Sequence, residues 1–219
     1  MEDIRRALQQ AYTANVKERD TSLPQPWKLA ERAAFLQALQ VKGAGSLLEL
    51  GAGTGQDAAF FAAHGLEVLA TDLTAENVAA CRQKGLHAEV MDVCDLRLPA
   101  AGFDAAYSLN CLLHLAKAEF PLAIENIHRV LKLGGLLYLG LYGGMDSEGV
   151  YQEDSYEPKR FFSFWTDEGL RNAVAPLFDI FSFTAVELEE GSELHFQSLI
   201  LGTRQSPLST PKSGASVGH

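Results

Sequence analysis

The chain predicts an α/β fold: a doubly wound, mostly parallel seven-stranded sheet with helices on both faces and an antiparallel last strand. Three observations predict it. The stretch 47–55 reads Leu-Leu-Glu-Leu-Gly-Ala-Gly-Thr-Gly, an apolar run suited to a buried strand and then glycines at alternate positions, Gly51, Gly53 and Gly55. A helical stretch follows from Asp57 to Ala63. Strand, glycine turn and helix together present backbone N–H groups and a helix N-terminus to a ligand. Glycine suits the turn because a Cβ would block close approach of that ligand and oppose the φ values required. Second, short apolar runs alternate with helical stretches across 46–141, the pattern of βαβ crossovers. Third, Gly51–Gly55, Asp72, Asp92 and Asn110 each fall just after a strand, so they converge on one edge of the sheet, where such folds bind ligands.

In chain order, Ile4, Leu8, Ala11 and Tyr12 near helical spacing predict an amphipathic helix over 2–17. A loop with two prolines spans 20–26, and a second helix over 27–39 places Leu29, Ala33, Leu36 and Leu39 on one face. Strand 46–50 leads through the glycine turn to helix 55–64. Strand 67–71 leads to helix 75–84, with Thr74 as N-cap and Gly85 as the stop. Strand 87–91, strand 103–108 and a helix over 116–131 follow, and Gly134-Gly135 turns the chain into strand 136–141. The stretch 143–159 is polar and lacks periodicity, and reads as a long mobile insert. After the aromatic run 161–165, expected in the core, Thr166 caps a helix that ends near Pro176. Strands 178–188 and 193–203, joined by 189–192, pair as an antiparallel hairpin. One domain over 1–204 is expected, followed by a disordered Ser-, Pro- and Gly-rich tail at 205–219.

With 219 residues the chain can bury a substantial core. Its formal net charge of −10 disfavours nucleic acid and anionic membranes, which reward clustered Lys and Arg. Cys81, Cys94 and Cys111 are odd in number and lack a Cys-x-x-Cys spacing, which argues against a disulfide framework or a metal site. No apolar leader or long apolar run is present, so a soluble, cytoplasmic protein is expected.

The glycine pattern separates two ligand classes. Dinucleotide folds want Gly-x-Gly-x-x-Gly, but the sixth position from Gly51 is Gln56. Glu49, two residues before Gly51, would repel a pyrophosphate and suits a ligand with an amino group. Asp72 at the end of the second strand can accept from both ribose hydroxyls of an adenosine; its alternative role is to cap the next turn.

Glu49-Leu-Gly-Ala-Gly-Thr-Gly55 resembles the first motif of class I S-adenosylmethionine-dependent methyltransferases. Further matches follow in order at Asp72, Asp92, Phe103-Asp104 and Arg129-Val-Leu-Lys-Leu-Gly-Gly135. The resemblance covers roughly 47–141 well and runs more loosely to about 204. It implies a Rossmann-like sheet, with the N-terminal 45 residues as a helical lid or simply as packing. It implies S-adenosylmethionine as cofactor, with Asp72 on the ribose, Leu73 on the adenine face, Asp92 on the adenine amino group and the Val93 N–H on a ring nitrogen. Asp95 competes with Asp92 for that role. Asn110 would hold the methionine ammonium through its carbonyl, helped by Glu49.

His114 lies where the resembled fold faces the methyl group, so it is a candidate general base or acceptor-orienting group, as is Tyr142 at the end of strand five. Tyr12, Arg160 and Trp165 are candidates for the acceptor pocket, with Arg160 suited to an anionic acceptor. His64, His87 and His128 read as structural or exposed, while His195 begins the last strand on a side where substrate can enter. The expected activity is methyl transfer to a small molecule, with no metal. Rival readings are a non-catalytic binding module, a protein or nucleic-acid methyltransferase, and an NAD-dependent dehydrogenase. The nucleic-acid option is weakened because Asn110-Cys-Leu-Leu departs from the Asn/Asp-Pro-Pro-aromatic signature of base-modifying members. The acceptor and the oligomeric state are not encoded in the motifs.

Overall fold

The computed structural model describes residues 2–204; the predicted tail at 205–219 lies outside them. Helices α1 (Glu2–Thr21) and α2 (Pro26–Lys42) precede the first strand. The core alternates β1 (Ser46–Leu50), α3 (Gln56–Ala63), β2 (Glu67–Asp72), α4 (Ala75–Gln83), β3 (His87–Val90), β4 (Phe103–Leu109), α5 (Phe120–Val130) and β5 (Leu131–Gly143). Then come β6 (Ser147–Val150), β7 (Phe161–Phe164), α6 (Asp167–Val174), β8 (Phe178–Glu187) and β9 (His195–Thr203).

Seven strands form one sheet in the order β3-β2-β1-β4-β5-β9-β8. Strands β1 to β5 run parallel, and β9 runs antiparallel to both neighbours, as the sequence predicts. The period of two in β1 sends Leu48 and Leu50 to one face and Leu47 and Glu49 to the other. On the first face they meet Ile124 and Ile127 of α5 and Leu170 of α6. On the second, Phe35 of α2 and Phe61 of α3 pack on the stacked pair Tyr107 and Tyr138, whose rings lie 4.8 Å apart.

The family-motif residue Asp104 works at the far end of the sheet from the strand tips. Its Oδ2 accepts from the Gly45 and Ser46 amides at 3.0 Å each and from Ser46 Oγ at 2.9 Å. Although burial opposes ionisation, the Lys132 ammonium and these donors hold its carboxyl down at about 2.

Four expectations need correction. The stretch 143–159 is not simply a loop: β6 pairs with β7 in a two-stranded antiparallel sheet. Phe162 and Phe164 are buried and fix β7, while four-residue β6 is too short to show a period. Helix α5 begins at Phe120 rather than 116, because Pro121 favours a first turn and a 3₁₀ turn at Leu112–His114 takes the preceding chain. Strand β5 already pairs at Leu131, and the register shifts before Leu136, around Gly134 at φ +73°. Thr74 sits at the N-cap of α4 without a side-chain capping bond. Asp72 Oδ1 instead fixes the turn before the helix, accepting from the Thr74 amide at 2.8 Å.

Helix α1 is different in kind from the rest. Only Ala11 is buried among its residues. It is held by polar contacts: Gln9 Nε2 donates to the Leu73 carbonyl, Thr13 Oγ1 to Glu76, and Arg5 pairs with Asp92 and Glu119. Of these contacts only Thr13–Glu76 is exposed and the others are part-buried, so α1 is held mainly by side-chain polar contacts rather than by a buried apolar face.

Candidate functional site

A cavity of about 500 Å³ lies beyond the C-terminal ends of β1, β2 and β4, roofed by α1 and the start of α2. That volume is in the range of small-molecule sites. Of the candidate cofactor, catalytic and acceptor residues, Glu49, Gly51, Gly53, Asp72, Leu73, Asp92, Val93, Asn110, His114, Tyr142, Tyr12 and Arg160 line it, whereas Gly55, Asp95, Trp165 and His195 do not.

The three glycines have different reasons. All have positive φ: +68° at Gly51, +55° at Gly53 and +83° at Gly55. A Cβ on Gly51 would stand 2.6 Å from Cys111 Cβ and Sγ, and one on Gly55 would stand 2.8 Å from Cys81 Sγ and Leu86 Cδ1. Those two glycines are therefore required by the protein's own packing. Gly53 is the one whose Cβ would meet only a side chain of the roof, the Arg19 guanidinium at 3.3 Å.

Glu49 is buried, and its Oε2 has no hydrogen-bond partner among the described residues. Burial, together with the charges of Asp57 and Asp72, pushes its carboxyl well above the usual range. Asn110 Oδ1 is also buried and unpartnered, while the Asn110 amide donates to the Gly140 carbonyl at 2.7 Å. Two unpartnered acceptors on one cavity wall suit a ligand that brings N–H donors.

Asp72 does two things. Its Oδ1 accepts from the Thr74 amide and, at 3.1 Å, from Asn77 Nδ2, and its Oδ2 accepts the Gly53 amide at 2.9 Å. Oδ2 thus keeps one lone pair for a ligand. Asp92 spends Oδ1 on the Cys94 amide at 2.8 Å, and Oδ2 pairs with Arg5 of the roof. Val93 begins the 3₁₀ turn that follows, and Leu73 carries the carbonyl on which Gln9 rests.

His114, Tyr12 and Arg160 meet, although 148 residues separate the last two in sequence. His114 Nδ1 lies 2.8 Å from the Phe161 carbonyl, which only accepts, so Nδ1 carries the proton. Nε2 then accepts from the Tyr12 hydroxyl at 2.8 Å. Arg160 Nη1 donates to the same Tyr12 oxygen at 3.1 Å. Burial lowers the His114 pKa to about 4, so the imidazole is neutral at pH 7. Asp154, which no sequence motif flags, fixes Arg160: Oδ2 takes Nε at 2.8 Å and Oδ1 takes Nη2 at 2.7 Å.

Tyr142 ends at the cavity, packed against Phe196 at 5.7 Å. Trp165 does not reach it. The indole packs on Phe120 at 5.1 Å within the core, and its carbonyl receives the Gln197 amide. His195 also lies elsewhere, with Nε2 against Asp167 at 2.8 Å.

Sequence reasoning missed Arg5, Arg19 and Lys28 on the wall. Arg5, Tyr12 and Arg19 recur at intervals of seven, which puts them on one helical face; that spacing was the available signal. Lys28 had none.

Residues 48–139 match a family model described as a methyltransferase domain. No curated protein sequence matches the chain. Among solved structures, 1,6-didemethyltoxoflavin-N1-methyltransferase of Burkholderia thailandensis, with its substrate and S-adenosylhomocysteine bound, superposes with a TM-score of 0.71 at 20% identity, covering 92% of this chain and 89% of that one. A S-adenosylmethionine-dependent methyltransferase of Methanosarcina mazei gives 0.64 at 19% identity, covering 72% and 92%. The 4+2 cyclase SpnF gives 0.63 at 20% identity, covering 80% and 82%. These likenesses show the fold.

Proposed function

We propose that this chain, with a match to the methyltransferase domain family over 48–139 and the fold of S-adenosylmethionine-dependent methyltransferases, transfers a methyl group from that cofactor to a small molecule. The observation that carries the reading is Glu49: a buried carboxyl with an unpartnered oxygen, beside the glycine turn and on the wall shared with Asn110. A methionine ammonium matches that pair of acceptors, and the cofactor fits this donor set. Asp72 Oδ2 has a free lone pair for the ribose, Leu73 and Val93 flank the adenine position, and Asp92 offers the carboxylate for its amino group. Arg19, which lies over Gly53, is placed for the methionine carboxylate.

When bound, S-adenosylmethionine supplies a methyl group already activated by the sulfonium charge. The chain's work is therefore to orient the acceptor, exclude water and take up a proton. Orientation alone can contribute about 7–11 kcal/mol. The Tyr12 oxygen donates to His114, accepts from Arg160, and keeps one lone pair for an acceptor O–H or N–H. A proton passed to Tyr12 can move on to His114 Nε2, while Nδ1–H stays on the Phe161 carbonyl. Tyr142 borders the same space. Tyr12 belongs to α1, so closing the lid both excludes water and completes this pair.

A small acceptor is supported by the roofed cavity and by the net charge of −10, which disfavours nucleic acid. Cytoplasmic location is part of the proposal, supported by three free cysteines; no helix among the described residues is long and apolar enough to cross a membrane. One observation favours a second reading, cofactor binding without methyl transfer: the structural neighbour SpnF is a cyclase. The test is S-adenosylhomocysteine formation, followed by mass spectrometry, across a library of small molecules. Acceptor-dependent formation, with a product heavier by one methylene, supports methyl transfer. Tight cofactor binding with no turnover on any library member supports the second reading.

A further inference from the structure

Four cations line the cavity: Arg5, Arg19, Lys28 and Arg160. Arg5 is paired with Asp92 and Glu119, and Arg160 with Asp154. Arg19 and Lys28 have no carboxylate within 4.0 Å among the described residues. Arg19 Nε is buried without an acceptor, and Nη1 reaches only the Tyr156 hydroxyl at 3.4 Å. The guanidinium otherwise rests 4.8 Å from the Tyr12 ring centre. Lys28, on the first turn of α2, is half-buried, with Nζ 5.2 Å from the Trp27 ring centre and 5.8 Å from that of Tyr142. The carboxylate that draws it most, Asp57, is already held by Arg32 at 2.7 Å.

Two like charges near each other in a partly dry wall oppose one another, so an unpaired pair of cations calls for anions from outside the protein. The two are not equivalent. Arg19 lies over Gly53, at the cofactor's place in the proposed function. Lys28 lies near the Tyr142 ring, which borders the cavity at the end of β5, and near the Trp27 ring, which packs on Phe196 outside the lining. We propose that Lys28 is the counter-ion for the methyl acceptor, and that the acceptor is an aromatic small-molecule anion: Lys28 matches its charge, and the Tyr142 ring, which lines the cavity beside Lys28, matches its plane. This inference rests on the methyltransferase reading. Burial and the neighbouring Arg19 both lower the proton affinity of Lys28, and a bound anion would offset both.

The test uses the full chain saturated with S-adenosylhomocysteine and reads benzoate, with neutral benzamide as the matched control, by calorimetry and ligand-observed NMR. Wild type should bind benzoate about tenfold more tightly than benzamide, as a charge-assisted hydrogen bond provides. Lys28→Met should abolish that preference and Lys28→Arg should keep most of it, with cofactor-product affinity unchanged in both. Equal binding of benzoate and benzamide by wild type, or binding of neither, overturns the proposal. So does a tenfold loss of S-adenosylhomocysteine affinity in Lys28→Met, which would assign Lys28 to the cofactor's carboxylate. If wild type fails to bind S-adenosylhomocysteine at all, the methyltransferase reading falls first and the proposal with it.

Discussion

His114 offers a quantitative test of the site's electrostatics. Its ring is buried with Nδ1–H on a carbonyl and Nε2 under a hydroxyl, and burial lowers its pKa from 6.5 to about 4. The unfolded chain therefore binds more protons at this residue than the folded one between those two values. Stability at this residue is full above about pH 6.5 and is lost as pH falls toward 4. A shift of that size is worth about 3 kcal/mol in full, of which about 2 kcal/mol disappears between pH 7 and pH 5. The assay is urea unfolding of wild type and His114→Gln at both pH values. Carboxylates titrate in both proteins, so the difference between the two pH slopes isolates His114. The variant should lose about 2 kcal/mol less than wild type over that range. Parallel slopes, within about 0.5 kcal/mol, would refute a buried neutral imidazole. They would also remove the Nε2 acceptor from the proton path through Tyr12.

The other expectations follow from the same geometry. Burial and the charges of Asp57 and Asp72 raise the Glu49 carboxyl above its usual range, so binding of an ammonium-bearing ligand should release a proton and tighten as pH rises; calorimetry in buffers of different ionisation enthalpy should show the release in wild type and none in Glu49→Gln. Gly51→Ala should cost about 1–3 kcal/mol of stability from its clash with Cys111, whereas Gly53→Ala should chiefly weaken cofactor binding; thermal unfolding and titration of both variants separate the two. Asp72→Ala strips the acceptor from the Gly53 and Thr74 amides and Asn77. It should lower stability by about 2–4 kcal/mol and cofactor affinity by about tenfold; unchanged affinity in the folded variant would remove Asp72 from the ribose.

The fold was readable where a strong period or a punctuating residue existed. Strand β1 appears at 46–50 as expected, because an apolar run meets a glycine turn whose φ values only glycine adopts readily. Thr166 caps α6, with its Oγ1 accepting the Gly169 amide at 3.0 Å. The misses have physical causes of another sort. Strand β6 has four residues and takes its partner from β7 rather than from a pattern of its own. Trp165 follows Arg160 closely in sequence, but β7 lies between them and the indole packs into the core.

The wall of the cavity divides in the same way. Glu49, Asp72, Asp92 and Asn110 sit at strand ends, which alternation alone locates. Arg19 and Lys28 come from the roof: Arg19 shares the seven-residue spacing of Arg5 and Tyr12, while no local pattern marks Lys28, which reaches the cavity through tertiary packing. Asp154 is further removed, acting on Tyr12 through Arg160 from a loop.

The central claim is that the cavity holds S-adenosylmethionine with Glu49 facing its ammonium group. Isothermal titration of the purified chain with S-adenosylmethionine, S-adenosylhomocysteine and NADH in parallel tests it most directly. The account predicts micromolar binding of the two adenosyl ligands, at least tenfold weaker in Glu49→Gln, and no heat from NADH. Failure of both adenosyl ligands to bind, or binding of NADH in their place, would contradict it.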